Sequence, residues 1–266
     1  MTEKEYRSHP AVSRSELWRL YSESPEKFRF YKDEPPPATD ALIFGQALHM
    51  SVLQPDIYAD NFAVMPDVDR RTREGKAAWA AFTAENEGKT AISADWQAKI
   101  DKMTAKLNGD PYVRKLLSGE HEKPYFWTDE LTGEECKCRV DSITQIGGVN
   151  YIIDVKTAED ASGNKFMKKS IDFGYPMQAA MYSEGVKKAS GTDCRFVFVI
   201  IEKSPPYAVN IMQADGLYTQ YGYDMFREAI GIYHDCKINN YWYGYLGKFN
   251  NINVLGLPAY LAKEFE

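Results

Sequence analysis

Two carboxylates and an ammonium stand within one short stretch, VDSITQIGGVNYIIDVK at residues 140–156, that otherwise reads as two apolar strands about a Gly-Gly turn. With Gly147-Gly148 as the two-residue loop of a type I′ or II′ hairpin, Ile146 faces Val149, Asp141 faces Asp154 and Arg139 faces Lys156. Side chains alternate along a strand, so Asp154 and Lys156 share one face and Ile153 and Val155 the other. Directly opposed like charges destabilise a strand pair by up to about 1 kcal/mol, and more if buried. A divalent cation between the carboxylates removes that cost. Oxygen ligands without paired thiols suit Mg²⁺ or Mn²⁺ better than zinc. On this reading, removal of Asp154 relieves repulsion and raises the melting temperature of the metal-free chain. For an isolated D-x-K, an exposed hairpin with solvated charges is the ordinary alternative.

Further groups could serve such a centre. Gln178 and Tyr182 are four apart on an expected helix and project from one face, towards either the charged set or the core. Arg70, Arg71, Arg73 and Lys76 make the dense basic patch that precedes the strands. Guanidinium groups bind phosphate bidentately, so the patch is either a phosphate pocket or a solvated loop. His49 stands near the end of an expected helix, where a lone histidine is most simply a core or surface residue. Cys136 and Cys138 fall on one strand face and read as small buried side chains, since a lone C-x-C is weak evidence for a metal site.

The elements that must position these groups follow from periodicity and caps. SRSELWRLYSESPEKFRFY opens on a Ser13–Glu16 capping box with Leu17, Leu20 and Tyr21 in one stripe. A second helix starts near Asp40 and ends before Pro55, residues 60 to 90 read as polar and loop-rich, and a third helix runs from Ser93 to Asn108-Gly109. KPYFWTDE, ECKCRVDSIT and NYIIDVKT then form an antiparallel meander. YPMQAAMYSEGVKKAS is a helix, CRFVFVIIE a buried central strand, YAVNIMQA the next strand, and GLYTQYGYDMFREAIGIYHDC a long helix. The expectation is one α/β (α+β) domain over residues 1–266. A helical portion to about 120 precedes a core, from about 121, in which helices flank a mixed sheet.

Composition narrows the class. A chain of 266 residues, 44% hydrophobic, can bury a proper core. No run approaches the roughly 20 apolar residues of a membrane span, and MTEKEYRSHP lacks a signal-peptide core, so a cytoplasmic location is expected. Four scattered cysteines do not resemble a disulfide framework. A net charge of -6 argues against a general nucleic-acid binder but leaves room for a local basic groove.

The order V-D, D-V-K, then a helix with Gln178 and Tyr182 resembles the PD-(D/E)XK nuclease core. Six segments in order, VSRSELWRLYSESPEKFRFYKDE, FGQALHMSVLQPDIY, PDVDRRTREGK, CKCRVDSI, IIDVKTAED and LPAYLAKEF, are similar to the RecE (exodeoxyribonuclease VIII) nuclease-domain family. Val140 departs from the superfamily, where proline often precedes the first aspartate. The resemblance implies a Mg²⁺-dependent 5′-to-3′ exonuclease that acts on double-stranded DNA ends and leaves 3′ tails for a RecT-like single-strand annealing protein. It implies metal ligation by His49, Asp141, Asp154 and the Val155 carbonyl, with Lys156 acting on the water or on the pentavalent charge. Beside such a centre, Gln178 and Tyr182 on their shared helical face would reach the catalytic site or a DNA phosphate, and on the phosphate-pocket reading of their patch Arg70, Arg71, Arg73 and Lys76 would take the 5′-phosphate of the degraded strand. The chain carries no G-x-x-x-x-G-K-[ST] phosphate loop to fuel a motor, and the family implies a homotetrameric ring instead. Two other readings are an idle PD-(D/E)XK module that binds DNA ends, and a nuclease of the RecB or CRISPR-associated (Cas4-like) type with an iron–sulfur cluster.

Overall fold

The computed structural model describes residues 1, 3–248, 252 and 254–257. Its elements are, in chain order, α1 (Glu3–Ser8), β1 (Val12–Ser13), α2 (Arg14–Ser22), α3 (Pro25–Asp33), α4 (Asp40–Leu53), α5 (Pro55–Asn61), β2 (Phe62–Val64), α6 (Arg73–Glu85), β3 (Thr90–Ile92), α7 (Ala94–Gly109), α8 (Pro111–Leu116), β4 (Glu120–Thr128), β5 (Glu135–Ile146), β6 (Val149–Ala158), α9 (Gly163–Asp172), α10 (Tyr175–Ser190), β7 (Cys194–Glu202), β8 (Val209–Gln213) and α11 (Gly216–Ile238). The LPAYLAKEF segment lies almost wholly outside the described residues.

Local chemistry explains most boundaries. Ser13 and Glu16 close the expected capping box at α2. The expected first helix divides in two because Ser24 accepts from Lys27 N and Pro25 follows it, a proline that cannot donate to a continuing helix. Residues 60–90 hold more structure than their polarity suggests. There Thr72 caps α6 by accepting from Gly75 N, while β2 and β3 pair in parallel. Of α6 only Gly75 is buried, so no apolar stripe announces the helix. In α9 only Phe166 and Ser170 are buried, yet its ten residues are strongly amphipathic, so a short helical period is present in the sequence.

The main sheet runs β1-β5-β6-β7-β8, with β4 on the other edge of β5. It is mixed: β1 with β5 and β6 with β7 are parallel, and the remaining pairs are antiparallel. Gly147 and Gly148 have φ of 59° and 80°, as a type I′ turn requires, and the expected register holds from Ile146–Val149 to Ser142–Ile153. It goes no further. On that edge of β5, residues 142–146 pair with β6 while Cys136 and Lys137 pair with β1, so the strand between them faces a fork. Alternation slips here as well, because Val140 and Ile143, three residues apart, both pack into one core. The expected facings of Asp141 with Asp154 and of Arg139 with Lys156 are thereby lost from the ladder, and Arg139 pairs with Pro124 of β4.

The sheet separates two cores. On one side Ile152, Phe196 and Phe198 pack against Leu17, Phe28, Met177 and Phe226 from α2, α3, α10 and α11. On the other, Ile153, Val155, Val197 and Val199 pack against Leu48, Ile100, Met103 and Val113 from α4, α7 and α8. The helical N-terminal portion is therefore not a separate layer, since it supplies β1 to the sheet and helices to both faces. Among the described residues no helix is long and apolar enough to cross a membrane.

A buried ion pair fastens the β4–β5 hairpin to α11. Asp129 accepts from Thr132 N (3.0 Å), from Thr132 Oγ1 (2.7 Å) and from Arg227 Nη1 (2.5 Å). Burial opposes ionisation of Asp129, but the hydrogen bonds from Thr132 and Arg227 prevail and hold its carboxyl below the usual range. A depressed carboxyl contributes stability above its unfolded pKa and loses it as pH falls through the folded one. Asp129→Asn is expected to cost about 3 kcal/mol at pH 7, with the difference from the parent shrinking below about pH 4. Urea unfolding at several pH values checks this, and a pH-independent difference would contradict it.

Candidate active site

The fork in β5 explains why Asp141 can do chemistry. Beyond Ser142–Ile153 the next amide of β6 has no ladder partner on β5, and the Val155 N–H donates instead to Asp141 Oδ2 at 2.8 Å. Asp141 therefore reaches across to β6 with its side chain where a continuous sheet would have used its backbone. From the other face, α4 brings His49. Thr39 caps that helix, and Ala47 and Leu48 are fully enclosed in the core beside the histidine. Leu48→Ala would cost about 2–5 kcal/mol and loosen this anchorage. His49 Nε2 donates to the Val155 carbonyl at 2.5 Å, and Nδ1 lies 3.4 Å from Asp141 Oδ2.

Asp154 faces the opposite core. It is almost fully buried, accepts from Gln178 Nε2 at 2.5 Å through Oδ1, and has the Lys156 ammonium 2.7 Å from Oδ2, out of hydrogen-bonding alignment. Burial raises the Asp154 carboxyl above its usual value and Asp141 adds to this, while Lys156 and His49 oppose it. Burial disfavours charge on Lys156 too, yet the neighbouring Asp154 outweighs it and raises the ammonium. The two aspartates do not confront each other unpaired, because each has its own partners. Tyr182 stands one turn beyond Gln178 and packs edge-on against Phe196 at 6.3 Å. Burial takes its phenol well above the usual range, so it remains protonated.

The structure thus gathers His49, Asp141, Asp154, the Val155 carbonyl, Lys156 and Gln178, with Tyr182 beside them. The basic patch is not joined to this group. Arg70 lies 3.2 Å over the Trp79 ring, Arg71 is paired with Asp69 at 2.9 Å, and Arg73 and Lys76 ride on the first turn of α6. Nor do the cysteines gather. Cys136, Cys138 and Cys236 are buried and Cys194 half-buried, all with free thiols, and burial pushes Cys136 up to about 12.

One residue escaped the sequence reading. Glu122 of β4 sits opposite Asp141, between the Cα pairs His121–Ser142 and Lys123–Val140. A strand starting at Lys123 leaves it out, whereas one extended three residues upstream would have included it. Its φ of 50° is uncommon for a side-chain-bearing residue and marks the same irregularity as the slip in β5. Among the described residues, His49, Glu122 and Asp141 are the one set of three side chains whose donor atoms lie within 4.8 Å of one another. One imidazole, two carboxylates and the adjacent Val155 carbonyl suit a divalent cation that takes oxygen and nitrogen ligands. Glu122 is also held by Arg139 Nε at 2.7 Å, which fixes the carboxylate beside Asp141. Glu122→Gln is expected to weaken Mn²⁺ binding about tenfold in calorimetric titration. An unchanged affinity would exclude Glu122 from the metal shell.

A family model described as "PDDEXK-like domain of unknown function (DUF3799)" matches residues 21–253. No curated protein matches the chain. Among solved structures, a protein of Eubacterium rectale provisionally described as an exonuclease is similar over 97% of this chain and 96% of its own, at TM-score 0.63 and 17% identity. The structure of SSO0001 overlaps 86% of this chain and 81% of its own, at TM-score 0.39 and 12% identity.

Proposed function

Because the chain belongs to the family of PDDEXK-like domains, we propose that it is a Mg²⁺-dependent nuclease of RecE-like type, degrading duplex DNA from its 5′ ends and leaving 3′ single-stranded tails. The observation that carries the nuclease reading is the complete set of groups at the β5–β6 fork, with Asp154 and Lys156 paired at 2.7 Å and Asp141 bonded to the Val155 amide. An idle module would have no need of this set. Polarity and substrate follow from the resemblance to RecE-type domains and are tested below.

His49, Glu122, Asp141 and the Val155 carbonyl would hold the cation, with Asp154 adjoining. A bound Mg²⁺ supplies Lewis acidity towards the scissile phosphate and lowers the pKa of a water. Lys156 would donate to the attacking water or to the negative charge that develops on the phosphate, a task suited to a compact ammonium kept protonated by its neighbour Asp154. Gln178 holds Asp154 in orientation through its amide. Tyr182, protonated, offers a donor towards backbone phosphate. Arg70, Arg71, Arg73 and Lys76 remain proposed for the 5′-phosphate, although Arg70 and Arg71 are already engaged within their own loop.

Linear duplexes labelled separately at each 5′ and each 3′ end test the reading. Early release of the 5′ label, only with Mg²⁺, is expected. Release of the 3′ label first would overturn the polarity, and no cleavage of any duplex would overturn the activity. A homotetrameric ring handing 3′ tails to a RecT-like annealing protein completes the proposal, and a ring closes naturally through heterologous contacts of one chain. Light scattering at micromolar concentration with only a monomer, together with digestion that stops on adding competitor DNA, would defeat it.

A further inference from the structure

We infer that Arg14 forms a phosphate subsite at the β1–β6 fork, beside Lys156, and takes a backbone phosphate of the nucleic acid adjacent to the one cleaved; this rests on the nuclease reading above. Its place is set by the topology. β1 runs parallel to β5 and ends with Ser13 opposite Lys137, so Arg14 opens α2 where the chain would next reach Cys138. β6 approaches the same gap from the other end, its last β5 pair being Ile153 with Ser142 and Lys156 lying three residues on. The two cations meet at one ring. Lys156 Nζ lies 4.8 Å and the Arg14 guanidinium 5.8 Å from the centroid of Tyr175, with Trp18 on the Arg14 side at 5.9 Å.

The partners of Arg14 leave its charge unanswered. One Nη donates to the carbonyl of Phe173, while Nε is shut off from solvent with no hydrogen-bond partner. No carboxylate among the described residues lies within ion-pair distance of it, although the cations at the site, Lys156 and Arg139, each have one. A shielded guanidinium with an idle N–H is costly unless an anion completes it. Phosphate matches it in charge and in the planar geometry of two parallel N–H donors. Lys156 is already neutralised by Asp154, so Arg14 supplies the uncompensated positive charge at this end of the site. The rival role is a brace. Arg14 and Trp18 secure the α9–α10 junction, where Gly174 has φ of 64° and an added Cβ would come 2.3 Å from the Trp18 ring.

Salt dependence separates the two roles. The intact protein, Arg14→Gln and Arg14→Lys are compared in EDTA for binding a fluorescent short duplex by anisotropy over a salt series, at a temperature where each is folded. Arg14→Gln is expected to bind at least about fivefold more weakly, with the slope of log affinity against log salt reduced by about one. Arg14→Lys is expected to keep the slope and lose about threefold, because the charge stays and the two-donor fork is gone. A brace alone lowers the melting temperature without changing the slope. Wild-type affinity and slope in Arg14→Gln would overturn the subsite while leaving the nuclease reading intact. Should Arg14→Gln not fold, wild-type affinity in Arg14→Lys would overturn it. A parent protein that neither binds nor cuts duplex at any salt would remove the nuclease reading, and the subsite with it.

Discussion

Asp154→Asn is expected to abolish Mg²⁺-dependent cleavage, with a loss on the order of 10³-fold in turnover, the scale on which removal of one preorganised electrostatic group is felt. The carboxylate has two tasks, adjoining the metal group and neutralising Lys156, and the amide performs neither. The reading from sequence alone also expects removal of Asp154 to stabilise the metal-free chain by relieving repulsion from Asp141. The structure reverses the sign. Asp141 is satisfied by the Val155 amide and Asp154 by Gln178 and Lys156, so the substitution leaves an ammonium without its counter-charge. Breaking one partner of a buried pair typically costs about 3 kcal/mol, so the melting temperature falls by several degrees. End-labelled digestion and thermal unfolding of the same sample check both. Retained cleavage in a folded Asp154→Asn protein would remove this site from consideration, and a raised melting temperature would restore the picture of two opposed carboxylates.

Lys156→Met is expected to lower turnover by about 10²- to 10³-fold while duplex affinity changes less than threefold. Its ammonium is matched by Asp154 in the ground state, so little attraction remains for bound DNA, and its proposed interaction grows with charge in the transition state. Single-turnover rates beside anisotropy make the comparison, and equal losses in both would recast Lys156 as a DNA contact. Removing the ammonium also takes away the strongest influence opposing the burial-raised Asp154 carboxyl. Metal binding by the variant should accordingly require a higher pH than in the parent, since the carboxyl ionises later.

The contrast between Asp154 and Glu122 shows what could be read without coordinates. Alternation along β6 put Asp154 and Lys156 on one face, and a Gly-Gly turn with both φ positive held the register. Both are local consequences of backbone geometry. Helices with caps and an apolar stripe, α2, α7 and α10, were legible for the same reason. α6 and α9 were not, because α6 opens inside a polar, basic stretch that reads as loop and α9 carries its helical period over only ten residues. The sequence by itself determined the mixed α/β class, the hairpin and its register, the D-x-K pair and the helix that carries Gln178. Only the tertiary structure decided where that hairpin stops. β1, from the N-terminal portion, and β6 compete for one edge of β5; the gap between them frees Asp141 to bond the Val155 amide and brings Arg14 to the Tyr175 ring that Lys156 also approaches, while β4 on the other edge sets Glu122 beside His49 and Asp141. Those groups lie on segments far apart in the chain, and no local propensity or period encodes which of two strands takes an edge.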